Sequence, residues 1–338
     1  MMKPGKLPPK LLKQLLSKIP FTDPTVLLGP KIGEDATFLD ATESKYLVAT
    51  TDPITFATDK IGWYVVNINA NDIAVMGGNP KWLLITLLLP QTINEKTIDD
   101  IFSQIIDAST NLGIALVGGH TEITPNITTP IAIGTLIGEV SKNHVVRTQD
   151  AKPKDSIILT KKIALEGTSI IAREFSKKLK TLGINNDIIQ KAKNFISCPG
   201  ISIIKEANIA RDFKYVHSMH DPTEGGLITA LIELAIASNT GVMIDTKKIQ
   251  IAPESEQICK ALSINPMGLL SSGCLIITTP QENSSELMRI FSNHKIESYE
   301  IGHLTDKPNE YKWITTSGIE DIPIFENDEL TKCFETYK

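Results

Sequence analysis

Residues 113–124 read GIALVGGHTEIT, an apolar run of strand length that ends in two glycines, a histidine and a glutamate. Such a run reads as a buried strand that emerges at a site. Gly118 and Gly119 allow backbone angles and close approaches that bulkier residues forbid, so something is expected to lie against the backbone there. His120 alone is more often a hydrogen-bonded polar residue than a ligand, but with Thr121 and Glu122 it joins a set able to handle a metal or a proton.

Outward from this stretch, further runs of strand length lie at KYLVATTD (45–52), WLLITLLLP (82–90) and PIAIGTLIGEV (130–140). Two helical patterns alternate with them, one over Gly62 to Met76 and one opening at NEKTIDD. The second carries Ile98, Ile101, Phe102, Ile105 and Ile106 at the spacing of a core-facing stripe. Mixed strands and helices make this half α/β or α+β. The polar segment RTQDAKPKD (147–155) breaks the pattern and places the domain boundary, giving 1–148 and 149–338. Beyond it come a strand at SIILTKK and helices from EGTSIIAREFSKKL, Asp187 to Phe195 and Ser202 to Phe213. HSMHDPTEGGLITALIELAIAS, strands GCLIITT and KWITT, and a helix at NSSELMRIFSNH complete a second α/β layer.

A chain of 338 residues suits two domains. With 22% charged and 41% hydrophobic residues it is an ordinary globular composition, and a net charge of −5 argues against a broad nucleic-acid footprint. Cys198, Cys259, Cys274 and Cys333 lie far apart with no paired spacing, which fits a reducing cytoplasm. Leu11, Leu12, Leu15, Leu16 and Ile19 form one stripe of an amphipathic N-terminal helix, not an export signal. WLLITLLL is far too short to cross a bilayer.

Neither G-x-x-x-x-G-K-[ST] nor G-x-G-x-x-G occurs, and G-x-S-x-G is also missing, so any nucleotide site is built without the common glycine cradles. What the chain offers is carboxylates at the ends of apolar segments: Asp35, Asp52, Asp72, Glu122 and Asp221. A hard cation such as Mg²⁺ takes oxygen ligands and bridges carboxylates to phosphates, which this pattern suits. Asp35 after Gly33, and Asp52 before Pro53, are equally ordinary turn residues. Asn67, Asn69, Asn71 and Asp72 interrupt a helix in which they are poor formers, so they need side-chain partners: a metal, a phosphate or a neighbouring loop. Asp221, Pro222 and Glu224 make a capping-box-like helix start, which also presents free N–H groups to an anion.

The ordered set IGEDA, TTD, NDIAVMGG, VGGHTE, RxxxAKPKD, DPTEGG and LLSSG, spread over nearly the whole chain, resembles the PurM-like superfamily, and within it the HypE-like, AIR synthase-related branch. The superfamily includes AIR synthase, thiamine-monophosphate kinase and selenophosphate synthetase. The resemblance implies a two-domain fold, an N-terminal sheet domain forming a dimer barrel plus a C-terminal α/β domain, with ATP bound in the cleft between them. It implies a homodimer, Mg²⁺ held by aspartates, and transfer of the γ-phosphoryl group to an amide, carbonyl or phosphate oxygen of a small molecule or a partner protein's carboxamide. Carried over position by position, Asp35, Asp52, Asp72 and Asp221 match metal and phosphate positions, and Asn71, Gly118, Gly119 and Thr121 match the nucleotide side. Arg147 matches a phosphate contact, and Glu122 or His120 completes the site, with Asp72 and Glu122 taken as the catalytic carboxylates. Departures are visible: His120 stands where many members carry Asp or Glu, Ser272 stands where HypE carries a glutamate, and the chain ends KCFETYK where HypE has a Pro-Arg-Ile-Cys-like tail. The rival readings are a small-molecule kinase of the thiamine-phosphate type and a nucleotide-binding maturation scaffold that has lost turnover.

Overall fold

The computed structural model describes residues 9–18, 23–57 and 59–337, so the expected position of Ile19 lies outside the described residues. Helix α1 spans Pro9–Leu16. The strands and helices that follow, in chain order, are β1 (Val26–Leu28), β2 (Thr37–Asp40), β3 (Lys45–Ile54), α2 (Ile61–Val75), β4 (Asn79–Pro90), α3 (Glu95–Asn111), β5 (Ala115–Thr124) and β6 (Ile131–Ser141). Then come β7 (Asp155–Thr160), α4 (Leu165–Glu174), α5 (Ser176–Thr181), α6 (Asn186–Lys193), α7 (Ile204–Asp212), β8 (Ser218–His220), α8 (Gly226–Ser238), β9 (Gly241–Asp245) and α9 (Pro253–Leu262). Last are β10 (Ile276–Pro280), α10 (Gln281–Asn293), β11 (Ser298–Thr305), β12 (Tyr311–Ile314), β13 (Ile319–Asp321) and α11 (Glu329–Tyr337).

The chain forms two compact units. The N-terminal unit holds residues 23–29 and 35–145, and the C-terminal unit holds the rest of the described chain, including 9–18 and 30–34. The division thus falls between Val145 and Val146, and an early stretch of chain belongs to the later unit. Glu34 is the reason for residues 30–34: its carboxylate accepts from the backbone N–H of Thr148 at 3.3 Å and of Gln149 at 3.0 Å.

In the N-terminal unit the described strands form one sheet in the order β1-β2-β3-β6-β4-β5, antiparallel except for the parallel β4–β5 pair. Side chains alternate across it. Val48 and Ile54, Leu83, Leu87 and Leu89, and Ala132, Leu136 and Val140 are buried on the face that α2 covers. The α2 pattern is apolar nearly all round, and the helix is buried along its length, as such a pattern requires. Of the α3 stripe, Ile101 and Ile105 are buried while Phe102 and Ile106 stay exposed. Strand β3 continues through Pro53 to Ile54, so Asp52 lies inside a strand rather than at its end. Proline is tolerated there because β2 pairs only with Tyr46–Ala49, leaving Pro53 on a stretch without that neighbour.

The C-terminal unit carries the sheet β13-β12-β9-β11-β7-β10-β8, mainly antiparallel with a parallel β9–β12 pair. Strand β7, interior to the sheet between β11 and β10, is buried throughout, which accounts for its unbroken apolar reading. The expected capping box at DPTEGG is not formed: α8 begins at Gly226, with Gly225 in the left-handed region at φ 81°. Asp221, Pro222 and Glu224 lie ahead of the helix. The cap acceptor is instead Asp328, whose carboxylate takes the Gly225 N–H at 2.7 Å across 103 residues of sequence. A Cβ at Gly225 would sit 2.2 Å from Thr229 Oγ1, so the turn admits only glycine.

Candidate functional site

In the N-terminal unit the polar residues of α2 are held by the sheet beneath them. Asn69 donates to the Val65 carbonyl at 2.8 Å and the Asp52 carbonyl at 3.3 Å, and accepts the Asp52 N–H at 3.0 Å. Asn67 donates back to the Trp63 carbonyl at 2.9 Å. The partners that a helix rich in Asn demands are therefore partly its own preceding turn and partly strand β3. Asn69→Ala removes an acceptor and two donors from a buried set, and is expected to destabilise the chain by about 2–3 kcal/mol in urea unfolding.

Asp72 is only 5% exposed, and its carboxylate accepts from the Thr50 hydroxyl at 2.8 Å. The same hydroxyl lies 3.1 Å from the Asp35 carbonyl, and Asp52 follows Thr50 on the same face of β3. Thr50 thus joins the Asp72 carboxylate to the Asp35 backbone, with Asp52 two residues further along β3 and the fully buried Asn71 next to Asp72 in α2. The donors gathered there are oxygens, the set a hard divalent cation takes.

Strand β5 is an edge strand, exposed almost throughout. Val117 is an extra residue in its ladder with β4, which pairs Leu83 with Leu116 and Leu84 with Gly118. Gly119 sits at φ 148°, and a Cβ there would be 1.9 Å from the Ile85 carbonyl oxygen. What lies against the backbone at Gly119 is the neighbouring strand, whereas Gly118 opens on free space with Leu84 Cδ2 at 3.9 Å. Gly118, Gly119, His120 and Thr121 line a cavity of about 430 Å³, together with Phe102 and Ile105 of α3. His120 Nε2 lies 3.3 Å from Glu122 Oε2, and Thr124 donates to Glu122 Oε1 at 3.0 Å. The Thr124 hydroxyl first, and His120 second, hold the Glu122 carboxyl below its ordinary pKa. By register His120 and Glu122 share a face with Thr86 and Leu88, opposite the face that α2 covers. Two strands, β6 and β4, separate β5 from β3, a span of roughly 14 Å at ordinary strand spacing. Within one chain the N-terminal unit therefore does not bring Glu122 and His120 to Asp52 and Asp72.

In the C-terminal unit Arg147 is gripped by Asp150, through Nε at 2.7 Å and a second nitrogen at 2.9 Å. Asp221 follows β8 directly and is fully buried, and its neighbour His220 lies 3.3 Å from Glu233.

Sequence reading did not single out Glu166 or Asp328, two carboxyls of this unit held well above their ordinary range. Burial, chiefly, pushes Glu166 up to about 8, opposed by the Ser272 hydroxyl and reinforced by Asp328, Glu224 and Asp221. Burial also raises Asp328 to about 7, against backbone N–H donors from Leu330, Gly225 and Leu270. A glutamate at the start of a helix is ordinary on sequence grounds, so the only available signal was its place two residues after an apolar strand-to-helix turn. Both groups bind protons more tightly folded than unfolded. Their contribution is complete below the ordinary carboxylate range and is lost as pH climbs through 7 and 8. The melting temperature is expected to fall between pH 6 and pH 9, and to fall less in Glu166→Gln; a scan calorimeter reads both slopes.

With this geometry in place, two domain patterns match the chain: the N-terminal domain of AIR synthase related protein over residues 33–140, and its C-terminal domain over residues 152–314. The chain belongs to the AIR synthase-related family and has the two-domain PurM-like fold. A Methanocaldococcus jannaschii protein described as a hydrogenase expression/formation protein is 27% identical over 332 residues, covering 95% of each chain. The thiamine-monophosphate kinase of Pyrococcus horikoshii is 30% identical over 266 residues, covering 75% of this chain and 78% of the kinase. Rhizobium leguminosarum carbamoyl dehydratase HypE is 24% identical over 280 residues, 80% of this chain and 77% of that one. Among solved structures, Escherichia coli HypE has a TM-score of 0.74 at 18% identity, covering 95% of this chain and 98% of that one. HypE solved in complex with ATP has a TM-score of 0.69 at 19% identity, covering 92% of each chain.

Proposed function

We propose that this chain is an ATP- and Mg²⁺-dependent phosphotransferase that moves the γ-phosphoryl group onto an amide, carbonyl or phosphate oxygen of a small molecule or a partner protein. The observation that carries the reading is the buried Asp72 carboxylate held by Thr50, with the Asp35 backbone on the same hydroxyl and Asp52 on the same face of β3, in a chain that matches both domains of a family whose relatives include a kinase and a dehydratase. Asp35, Asp52, Asp72 and Asp221 are assigned to metal and phosphate, with Asn71, Gly118, Gly119, Thr121 and Arg147 on the nucleotide. Bound Mg²⁺ supplies neutralisation of phosphate charge, and phosphoryl transfer asks the protein mainly for positioning and charge balance rather than a covalent nucleophile. The buried Asn71–Asp72 pair, fixed in a helix, provides rigid placement of this kind.

The exposed Leu116, Val117 and Ile123 of β5, with Phe102 and Ile106 of α3, form an apolar surface along an unpaired strand edge. A second copy covering this edge suits the homodimer the family resemblance implies, and would put another chain beside Glu122 and His120. Light scattering is expected to report a dimer; a monomer at micromolar concentration would contradict the pairing.

A kinase acting on a phosphorylated small molecule is the second reading, favoured by the 30% identity to thiamine-monophosphate kinase. The test is ADP release with carboxamide and thiamine-phosphate acceptors in parallel. Release stimulated by a carboxamide supports the first reading, and release only with thiamine phosphate moves the chain to the second. Tight ATP binding with no release from any acceptor supports the scaffold instead. The reducing, cytoplasmic setting is proposed from four free cysteines, and no helix among the described residues is long and apolar enough to cross a membrane.

A further inference from the structure

Strand β11 carries a bulge in its ladder with β7: Glu300 pairs with Ile158, Gly302 with Ile157 and His303 with Ser156, leaving Ile301 as the extra residue. Residues three apart on an unbroken strand face opposite sides of a sheet. The bulge cancels that offset, so Glu300 and His303 share one face with Ser156. Met243 of β9 joins this face by pairing with His303, and Asp245 follows two residues on, beside its β12 partner Ile314. Over the same sheet α10 opens at Gln281 and packs on β7, β10 and β11.

These residues, with Lys154 and Lys248, line a cavity of about 370 Å³ in the C-terminal unit. It lies apart from Asp221: Ser156 is the second residue of β7, whereas Asp221 follows His220, which is level with Leu159 through Ile276. Ser156 is only 1% exposed, and among the described residues its Oγ has no hydrogen-bond partner. Buried polar atoms are paired in the great majority of cases, so an unpaired hydroxyl in the wall of a cavity points to a partner from outside the chain.

The charges around the hydroxyl indicate which partner. Lys154 and Lys248 bring two ammonium groups, and neither makes an ion pair among the described residues. Asp245 and Glu300 bring two carboxylates. One oxygen of each is taken, by the Lys247 N–H at 3.0 Å and the Ser284 hydroxyl at 2.6 Å, and the other is left open. A simple anion would meet two carboxylates here and a simple cation two ammonium groups, whereas a zwitterion finds an opposite charge for each of its ends. Met243 and Ile314, the latter 40% exposed, add an apolar wall.

We propose that this cavity binds a free α-amino acid with an aliphatic side chain. The Ser156 hydroxyl and the two lysines take its carboxylate, Asp245 and Glu300 take its ammonium group, and Met243 and Ile314 face its side chain.

The test is a ligand-observed NMR titration of the full chain with L-leucine and three analogues. The analogues are 4-methylpentanoate, which lacks the ammonium group, 3-methylbutylamine, which lacks the carboxylate, and glycine, which lacks the side chain. Leucine is expected to bind saturably, the two singly charged analogues at least about tenfold more weakly, and glycine about fivefold more weakly. Asp245→Asn keeps the acceptor for the Lys247 N–H while removing the charge, and is expected to weaken leucine binding about tenfold. Ser156→Ala is expected to weaken it about fivefold. Because the hydroxyl is unpaired in the ligand-free chain, Ser156→Ala is also expected to melt no lower than the wild type. A melting temperature lowered by several degrees would reveal a hydrogen bond within the chain and overturn the site. So would the absence of saturable leucine binding, a singly charged analogue binding as well as leucine, or both variants binding leucine like the wild type.

Discussion

Asp72→Asn is expected to lower acceptor-stimulated ADP release by about 100-fold or more while moving the melting temperature of the ligand-free protein by only a few degrees. The substitution is nearly isosteric, and the new amide oxygen still accepts the Thr50 hydroxyl that now reaches Asp72 at 2.8 Å. What it removes is a negative charge, in a helix position only 5% exposed that shares the Thr50 hydroxyl with the Asp35 carbonyl. A structural residue and a metal ligand respond to this change in opposite ways. If Asp72 serves packing alone, activity survives and any loss appears in the melting curve. If it holds Mg²⁺ and phosphate, the loss appears in turnover and in the Mg²⁺ dependence of ATP binding. A variant that melts far below the wild type would identify Asp72 as part of the core and remove it from the site.

The second large effect concerns two adjacent glycines that look alike in the sequence. Gly119→Ala would put a Cβ 1.9 Å from the Ile85 carbonyl oxygen and 2.8 Å from the Ile85 nitrogen, at a φ of 148° that side-chain-bearing residues rarely adopt. Strand β5 would have to leave β4 or β4 would have to bend, at a cost on the order of 3–5 kcal/mol. Calorimetry is expected to show a transition lower by at least about 10 °C. Gly118→Ala meets nothing closer than Leu84 Cδ2 at 3.9 Å and is expected to melt within about 2 °C of the wild type. Equal behaviour of the two variants would mean that the β4–β5 ladder is not built as described. The pair also separates structure from binding, since a loss of ATP affinity in Gly118→Ala without a stability change would assign that glycine to the nucleotide.

The contrast between these glycines shows where sequence reading stops. Strands β3, β4, β5 and β6 and helices α2 and α3 were legible because their apolar periodicity is strong and their ends carry turn residues. Strand β11 was not, because its sequence SYEIGHLT is polar and a bulge between Glu300 and Gly302 breaks the alternation. Strand β9 and helix α9 went unread because each is short and gains its stability from neighbours remote in sequence. The start of α8 was misplaced for a related reason: local residues offered a capping box, but the acceptor that wins is Asp328, which no local rule connects to Gly225. In the α3 stripe, spacing named five residues, and only the packing of the helix shows that Phe102 and Ile106 face outward.

The candidate site divides in the same way. The aspartates stood out by type and position, and Asp72 by its place in a helix that Asn and Asp disfavour. That the helix pays for them partly through Asn69 and the backbone of Asp52 depends on how α2 lies against β3, which one sequence does not state. Glu166 was silent because its character comes from burial beside Ser272, more than 100 residues away in the chain. Ser272 drew notice as a departure from HypE; the carboxyl that lies next to it drew none.

Isothermal titration of the full chain with ATP, with and without Mg²⁺, tests the central claim most directly. The account predicts saturable binding that weakens at least about tenfold when Mg²⁺ is removed with a chelator, because a triphosphate then meets several carboxylates without a cation between them. Binding that is indifferent to Mg²⁺, or no binding at millimolar ATP, would contradict it.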